Sequence, residues 1–212
     1  MNVAVFINGF LCGFLFSVMI LTVLDTETTG LSLRKHELLE IGFISYVVTG
    51  EGERLITKKF ETKIKPQHLH TASDRALEIN GYTNEAWQDA PYAGEALPEI
   101  CEAISKSNIL LGQNLIFDLK FIHKACQDGG LEEPSYPPYI DTKAMADKLK
   151  SVGVIEKSGM DYLCERFNIQ FEGRAHTALA DCERTIKAWD ALLELNPDYE
   201  LWTFDNPYEA FR

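Results

Sequence analysis

The sequence predicts an α/β domain in which one central mixed five-stranded sheet carries helices on both faces. Two patterns lead there. The first part of the chain reads as three extended segments with short connections, and the rest alternates apolar helical stripes with short strands. The 212 residues are 46% hydrophobic and 25% charged, which suits a single domain with a substantial core.

Ile20–Asp25 is a short aliphatic run, the pattern of a strand buried on both faces, and Thr28-Thr29-Gly30 punctuates it. Leu38–Val48 and Leu55–Ile64 read as two more strands joined by a turn at Gly50–Gly52, so the sheet begins antiparallel. Ser73–Ile79 is a short helix stopped by Asn80-Gly81. Gly94–Ile104 carries an apolar stripe of Leu97, Ile100, Cys101 and Ile104, and Asn108–Leu111 is the fourth strand. Ile116–Gln127 follows as a helix with Phe117, Phe121, Ile122 and Cys126 inward, closed by Gly129-Gly130. Tyr139-Ile140 supplies the fifth strand. Thr142–Leu149 and Met160–Phe167 are helices, and His176–Leu195 is a longer one with Leu179, Cys182, Ile186, Trp189 and Leu193 apolar.

The domain is expected to span residues 19–195. Residues 196–212, aromatic and punctuated by proline, are read as a C-terminal tail without an assigned function. Residues 1–18 form an apolar extension, within an uncharged run from Asn2 to Leu24. That run has the length of a membrane span but lacks the basic start and small-residue cleavage site of a secretory signal. Because Ile20–Asp25 is needed as a strand, the extension is read as translation upstream of a natural start at Met19. A membrane anchor and an extra packed helix are the alternatives. The five cysteines, Cys12, Cys101, Cys126, Cys164 and Cys182, are odd in number, widely spaced and form no C-x-x-C pair. This argues against a disulfide framework or zinc site and for reduced thiols in a cytoplasmic protein.

Three signals carry chemistry. In Asp25-Thr26-Glu27, residues i and i+2 of an extended segment share a face, so two carboxylates stand side by side at a strand end. Gly30 then lets the chain turn and leaves room for a ligand. At about 5 Å and an effective dielectric near 20, the repulsion is on the order of 3 kcal/mol; either one group is protonated or a cation sits between them. All-oxygen ligands favour Mg²⁺ or Mn²⁺. Taken alone, D-x-E also reads as a turn with solvated acids. The second signal is Asn114-Leu115-Ile116-Phe117-Asp118, where Asn114 can cap a helix holding Asp118 in its first turn. The third is His176-Thr177-Ala178-Leu179-Ala180-Asp181, where alanines let the helix of Asp181 pack closely on the sheet and His176 stands at its entrance. Together, four carboxylates and one imidazole fall at element ends that one α/β domain can gather. Two divalent ions about 3.5–4 Å apart would neutralise them and clamp a phosphodiester for attack by water, with the imidazole as general base.

These residues resemble the DEDD exonuclease superfamily, histidine subtype, over roughly Ile20–Leu195. D-T-E-T-T-G-L matches its first motif, N-x-x-x-D its second and H-x-x-x-x-D its third. The resemblance implies an RNase H-like fold, two Mg²⁺ or Mn²⁺ ions, and 3′→5′ release of nucleoside 5′-monophosphates. It implies that Asp25 bridges both metals, that Glu27 and Asp181 hold the water-activating ion and that Asp118 supports the other. Thr26 and Glu27 would receive the terminal 3′-OH, Leu31 would wedge against the terminal base, and Asn114 would join the substrate contacts. Asp141 and Asp161 are read as caps and structural partners. There are departures: Gln113 stands where many relatives have histidine, and Asn80 replaces another family histidine.

The expected partner is a single-stranded 3′ end, DNA favoured and RNA admitted. The net charge of −12 argues against tight non-specific duplex binding, yet a divalent-cation site must itself gather acids. Nothing in the tail identifies a polymerase-binding segment, and a membrane partner is not expected. Phe117 and Phe121 fit a helix core better than a base stack; Lys143, Lys148, Lys150, Lys157 and Arg174 read equally as a thin basic rim or a solvated face. A non-catalytic nucleic-acid-binding module on the same fold and a membrane-tethered exonuclease are the competing readings.

Overall fold

In the computed structural model, which describes residues 19–49, 52–196 and 203–204, strand β1 (Met19–Thr28) lies inside the sheet, and residues 21–24 are all buried. The antiparallel strand β2 (Leu38–Val48) runs beside it from Met19↔Val48 to Glu27↔Glu40. Strand β3 (Arg54–Lys63) pairs antiparallel with β2. On the other side, β4 (Ile109–Gly112) is parallel to β1, and β5 (Tyr139–Asp141) is parallel to β4. These are the five strands the sequence predicts. A sixth, β6 (Thr203–Phe204), comes from the tail and pairs antiparallel with β5, giving the order β3-β2-β1-β4-β5-β6. The Phe204 ring stacks on Tyr139 with centroids 5.0 Å apart. Two residues are too few to show a strand period, so the pattern gave no sign of β6.

Helices α1 (Asp74–Asn80), α2 (Ala93–Lys106), α3 (Leu115–Gly129), α4 (Thr142–Ser151), α5 (Met160–Arg166) and α6 (Ala178–Leu195) complete the described fold. Alternation along the strands divides the core in two. Leu24 and Phe43 pack with Leu97, Ile100, Leu119 and Ile122 of α2 and α3. Val23 and Ile44 face the other way, onto Met145, Leu163 and Trp189 of α4, α5 and α6. The outer strand β3 clips both layers: Lys58 pairs with Glu99 of α2, while Lys59 pairs with Glu183 (2.7 Å) and Arg54 with Asp190 (2.5 Å) of α6.

One boundary departs from expectation. The last helix starts at Ala178 with Thr177 as its N-cap, not at His176, because His176 has φ 64, a left-handed conformation no helix accommodates. The turn at Gly50–Gly52 lies partly outside the described residues, and the reading of residues 1–18 lies wholly outside them. Among the described residues, no helix is long and apolar enough to cross a membrane.

Candidate active site

The site forms where β1 outruns its parallel neighbour. β4 pairs only with Leu21–Val23, so Asp25–Thr28 project past its end. The chain leaves β4 at Gly112, turns through Asn114 at φ 63, and enters α3 with its first turn aimed back at β1. Asp118 is 3% exposed there. Its Oδ1 accepts hydrogen bonds from the Thr26 backbone N–H at 2.9 Å and from Thr26 Oγ1 at 2.6 Å. The capping bond expected from the Asn114 side chain is absent. The left-handed turn carries Asn114 away from the helix, and its backbone N–H donates instead to Asp141 Oδ1 at 2.9 Å. Asp141 also caps α4, accepting from the N–H groups of Lys143 and Ala144. The space left by Gly30 (φ 147) is not open either: a Cβ there would lie 2.5 Å from the His36 ring, which fills it.

Helix α6 reaches the same point from the opposite face. Gly42 lies opposite Asp25 in the β1–β2 register. A Cβ on Gly42 would sit 2.9 Å from Ala178 C and Leu179 N, so the first turn of α6 rests directly on the strand. Two carboxylates hold it: Glu40 Oε1 accepts from the Ala178 N–H at 2.8 Å and Glu61 Oε1 from the Leu179 N–H at 2.9 Å. They satisfy donors that a helix start leaves open and place negative charge at its positive end. Asp181 is thereby delivered beside β1. Ligand atoms of Glu27, His176 and Asp181 all lie within 4.8 Å of one another, and Asp25, His176, Asp181 and Arg184 line a cavity of about 220 Å³.

The electrostatics show what the packing has gathered. Burial, then the charges of Asp118, Asp181 and Glu27, hold the Asp25 carboxyl well above the usual range, while Arg184 opposes them. Burial and the neighbours Asp181, Glu40 and Asp118 push Glu27 up to about 8, against the pull of Arg174. Burial raises Asp118 to about 7 although both Thr26 hydrogen bonds favour its charged form. Near neutral pH such a set takes up protons or a cation. The donors are hard carboxylate oxygens with one imidazole nearby, a set that fits Mg²⁺ or Mn²⁺.

A family model described as Exonuclease matches residues 22–189. The chain belongs to the exonuclease family. Ribonuclease T of Shewanella denitrificans is 28% identical over 190 residues, covering 80% of this chain and 81% of that protein. DNA polymerase III subunit epsilon of Rickettsia conorii is 32% identical over 164 residues, covering 75% and 67%. The nuclease domain of 3'hExo, a DEDDh family member bound to rAMP, superposes with a TM-score of 0.68 at 18% identity, covering 89% of this chain and 98% of that one. The fold is therefore that of the RNase H-like DEDDh exonucleases, a family dependent on divalent metal.

Within this exonuclease the structure brings Asp25, Glu27, Asp118, His176 and Asp181 to one place. Thr26 lies between the acids, and Leu31 stands 84% exposed just beyond them. Phe121 is buried and packs on Phe117, with ring centroids 4.9 Å apart; both belong to the α3 core side. Asn80, buried, donates to the Thr28 carbonyl at 3.0 Å and pins α1 to the strand end. Sequence reasoning missed Glu40, Glu61 and Arg184. Glu40 did carry a signal, being the one acid inside the apolar run Leu38–Val48. Arg184 sat one turn beyond Asp181 on a helix read for its apolar stripe, and is 3% exposed.

Proposed function

We propose that this exonuclease removes nucleoside 5′-monophosphates one at a time from single-stranded 3′ ends, DNA in preference to RNA. The observation that carries the reading is the convergence of four carboxylates from β1, α3 and α6 on a buried point. There burial first and the neighbours Asp181, Glu40 and Asp118 second raise Glu27 to about 8, and burial raises Asp118 to about 7. Two Mg²⁺ or Mn²⁺ ions, when bound, supply an activated water and stabilise the leaving 3′-oxygen. Asp25, Glu27, Asp118 and Asp181 would hold them, Asp25 serving both ions, Glu27 and Asp181 the one that would activate water, and Asp118 the other.

His176, at the entrance to α6, takes the proton from the attacking water. The new bond forms at phosphorus and the bond to the upstream 3′-oxygen breaks, so a nucleoside 5′-monophosphate departs and a shortened strand with a fresh 3′-OH remains. The backbone at Thr26 and the Glu27 side chain receive the terminal 3′-OH. Exposed Leu31 wedges against the terminal base, and Asn114 contributes to the same pocket. The four free thiols among the described residues support a reducing, cytoplasmic setting.

The test is digestion of 5′-labelled single-stranded DNA, duplex DNA and RNA with Mg²⁺ or Mn²⁺. A ladder shortening from the 3′ end, with mononucleotide 5′-phosphates as product and abolition by chelator, is expected. Internal cuts, shortening from the 5′ end, or full activity in Asp25→Ala would refute the reading.

A further inference from the structure

Among the cavity residues without a part in that scheme, one carries a buried charge. Arg184 lies one turn after Asp181 on α6 and is 3% exposed. Its Nη1 donates to Asp181 Oδ1 at 2.6 Å, its Nη2 to Asp161 Oδ1, and its Nε to Cys164 Sγ at 3.3 Å. The guanidinium carbon sits 5.1 Å from the centre of the Phe171 ring. A planar fork with donors along its edges can hold all these partners at once, where an ammonium could not. Its two ends engage different elements: Asp181 on α6, and Asp161 with Cys164 on α5, whose first residues line the same cavity.

We infer that Arg184 is a positioning residue for the metal centre, fixing the Asp181 carboxylate by one oxygen so that the other is presented to a divalent ion. This rests on the reading of Asp181 as a metal ligand. A carboxylate left free on Asp181 would swing between rotamers and lose rotational freedom each time a cation bound. With one oxygen already held, that ordering is complete before the ion arrives. Groups that hold a ligand from behind in this way are worth about 10–100-fold in metal affinity or activity. The guanidinium also offsets the carboxylates around Asp25, which it pulls down against the push of Asp118, Asp181 and Glu27. The same link makes the α5 wall and the ligand on α6 one unit.

The experiment measures Mn²⁺ binding by calorimetry, without nucleic acid, in Arg184→Met, Arg184→Lys, Asp161→Ala and Asp181→Asn, with thermal melts alongside. Arg184→Met is expected to bind Mn²⁺ about tenfold or more weakly and to lose kcat with KM little changed. Arg184→Lys is expected to recover only part of this. Asp161 has a 79% exposed side chain, so Asp161→Ala folds normally and weakens Mn²⁺ binding by about threefold, the scale of an exposed ion pair. Mn²⁺ affinity in a folded Arg184→Met equal to or above wild type would overturn the inference. Should that variant fail to fold, unchanged affinity in Asp161→Ala would overturn it instead. Asp181→Asn separates the two layers: if it weakens Mn²⁺ binding while the Arg184 and Asp161 variants do not, the site reading stands and the role of Arg184 falls. Unchanged binding in Asp181→Asn removes both.

Discussion

Glu27 and His176 face each other across the site, and the chain places them by opposite means. Glu27 belongs to a strand paired with β2 without interruption from Met19 up to Glu27 itself, the register shifting only beyond it, and its neighbour Thr26 is bonded twice to Asp118. His176 belongs to no regular element. It sits at φ 64 in a loop held by Arg174, whose Nη2 donates to the Ile79 carbonyl at 3.2 Å, and by Thr177, whose Oγ1 donates to the Arg174 carbonyl at 3.2 Å. Groups that must stay fixed to define a charge cluster come from sheet register and docked helices. The group proposed to carry a proton comes from backbone free of ladder constraints.

Removing a fixed group should do the most damage. Asp25→Ala is expected to lower exonuclease kcat/KM on the order of a thousandfold, since a divalent ion supplies several kcal/mol of transition-state stabilisation; steady-state assays on single-stranded DNA check this. His176→Ala should lower kcat by about 10²–10⁴, the usual worth of a general base, yet leave the calorimetric affinity for Mn²⁺ intact. A parallel loss of Mn²⁺ affinity would move His176 from the base to the ligand set and erase the contrast between the two regions.

The docking of α6 offers a subtler break. Gly42→Ala must push the first turn of α6 off the strand, and overpacking of this kind costs about 1–3 kcal/mol; denaturant melts should show it together with a fall in activity. Glu40→Ala leaves the Ala178 N–H unpaired in a buried setting and should cost about 1–2 kcal/mol. Glu40→Gln keeps the accepting oxygen and should recover most of that. Equal melts for the two variants would mean that the hydrogen bond is not what anchors the helix.

The smallest expected effect is a slope. Glu27 is raised to about 8 and Asp118 to about 7 in the folded chain, above their unfolded values. Such groups favour the folded state at pH below the unfolded values, and that contribution drains away as pH climbs through the folded ones. The metal-free protein should therefore melt at progressively lower temperature between about pH 5 and 8 on account of these groups. Mn²⁺ should flatten the trend and bind more tightly as pH rises, releasing protons. Melts with and without Mn²⁺ across that range measure both.

Much of this was legible in the sequence because it rests on local pattern. The extent of β2, the Gly81 and Gly130 stops at φ 65 and 61, and the three carboxylate motifs all follow from spacing along a strand or helix. What stayed hidden depends on partners far along the chain. Glu40 bonds to a residue 138 positions away, and Thr26 to one 92 away; neither has a local signature. The left-handed turns at Asn114 and His176 shift a helix start and cancel a cap for reasons set by where the chain must go next. Arg184 looked like one more charged position on an amphipathic helix until α5 folded over it.

The three ion pairs of β3 have a consequence for how the molecule is made. Its partners on α6 lie 124 and 136 positions further on, so this early strand leaves the ribosome long before the helix that secures it. Until then a lysine-bearing edge guards the half-built sheet against stray strands, and the acids of β1 proposed as metal ligands wait two strands away without Asp181. On the proposed role of Asp181, assembly and activation of the enzyme end in one event, the arrival of the last long helix.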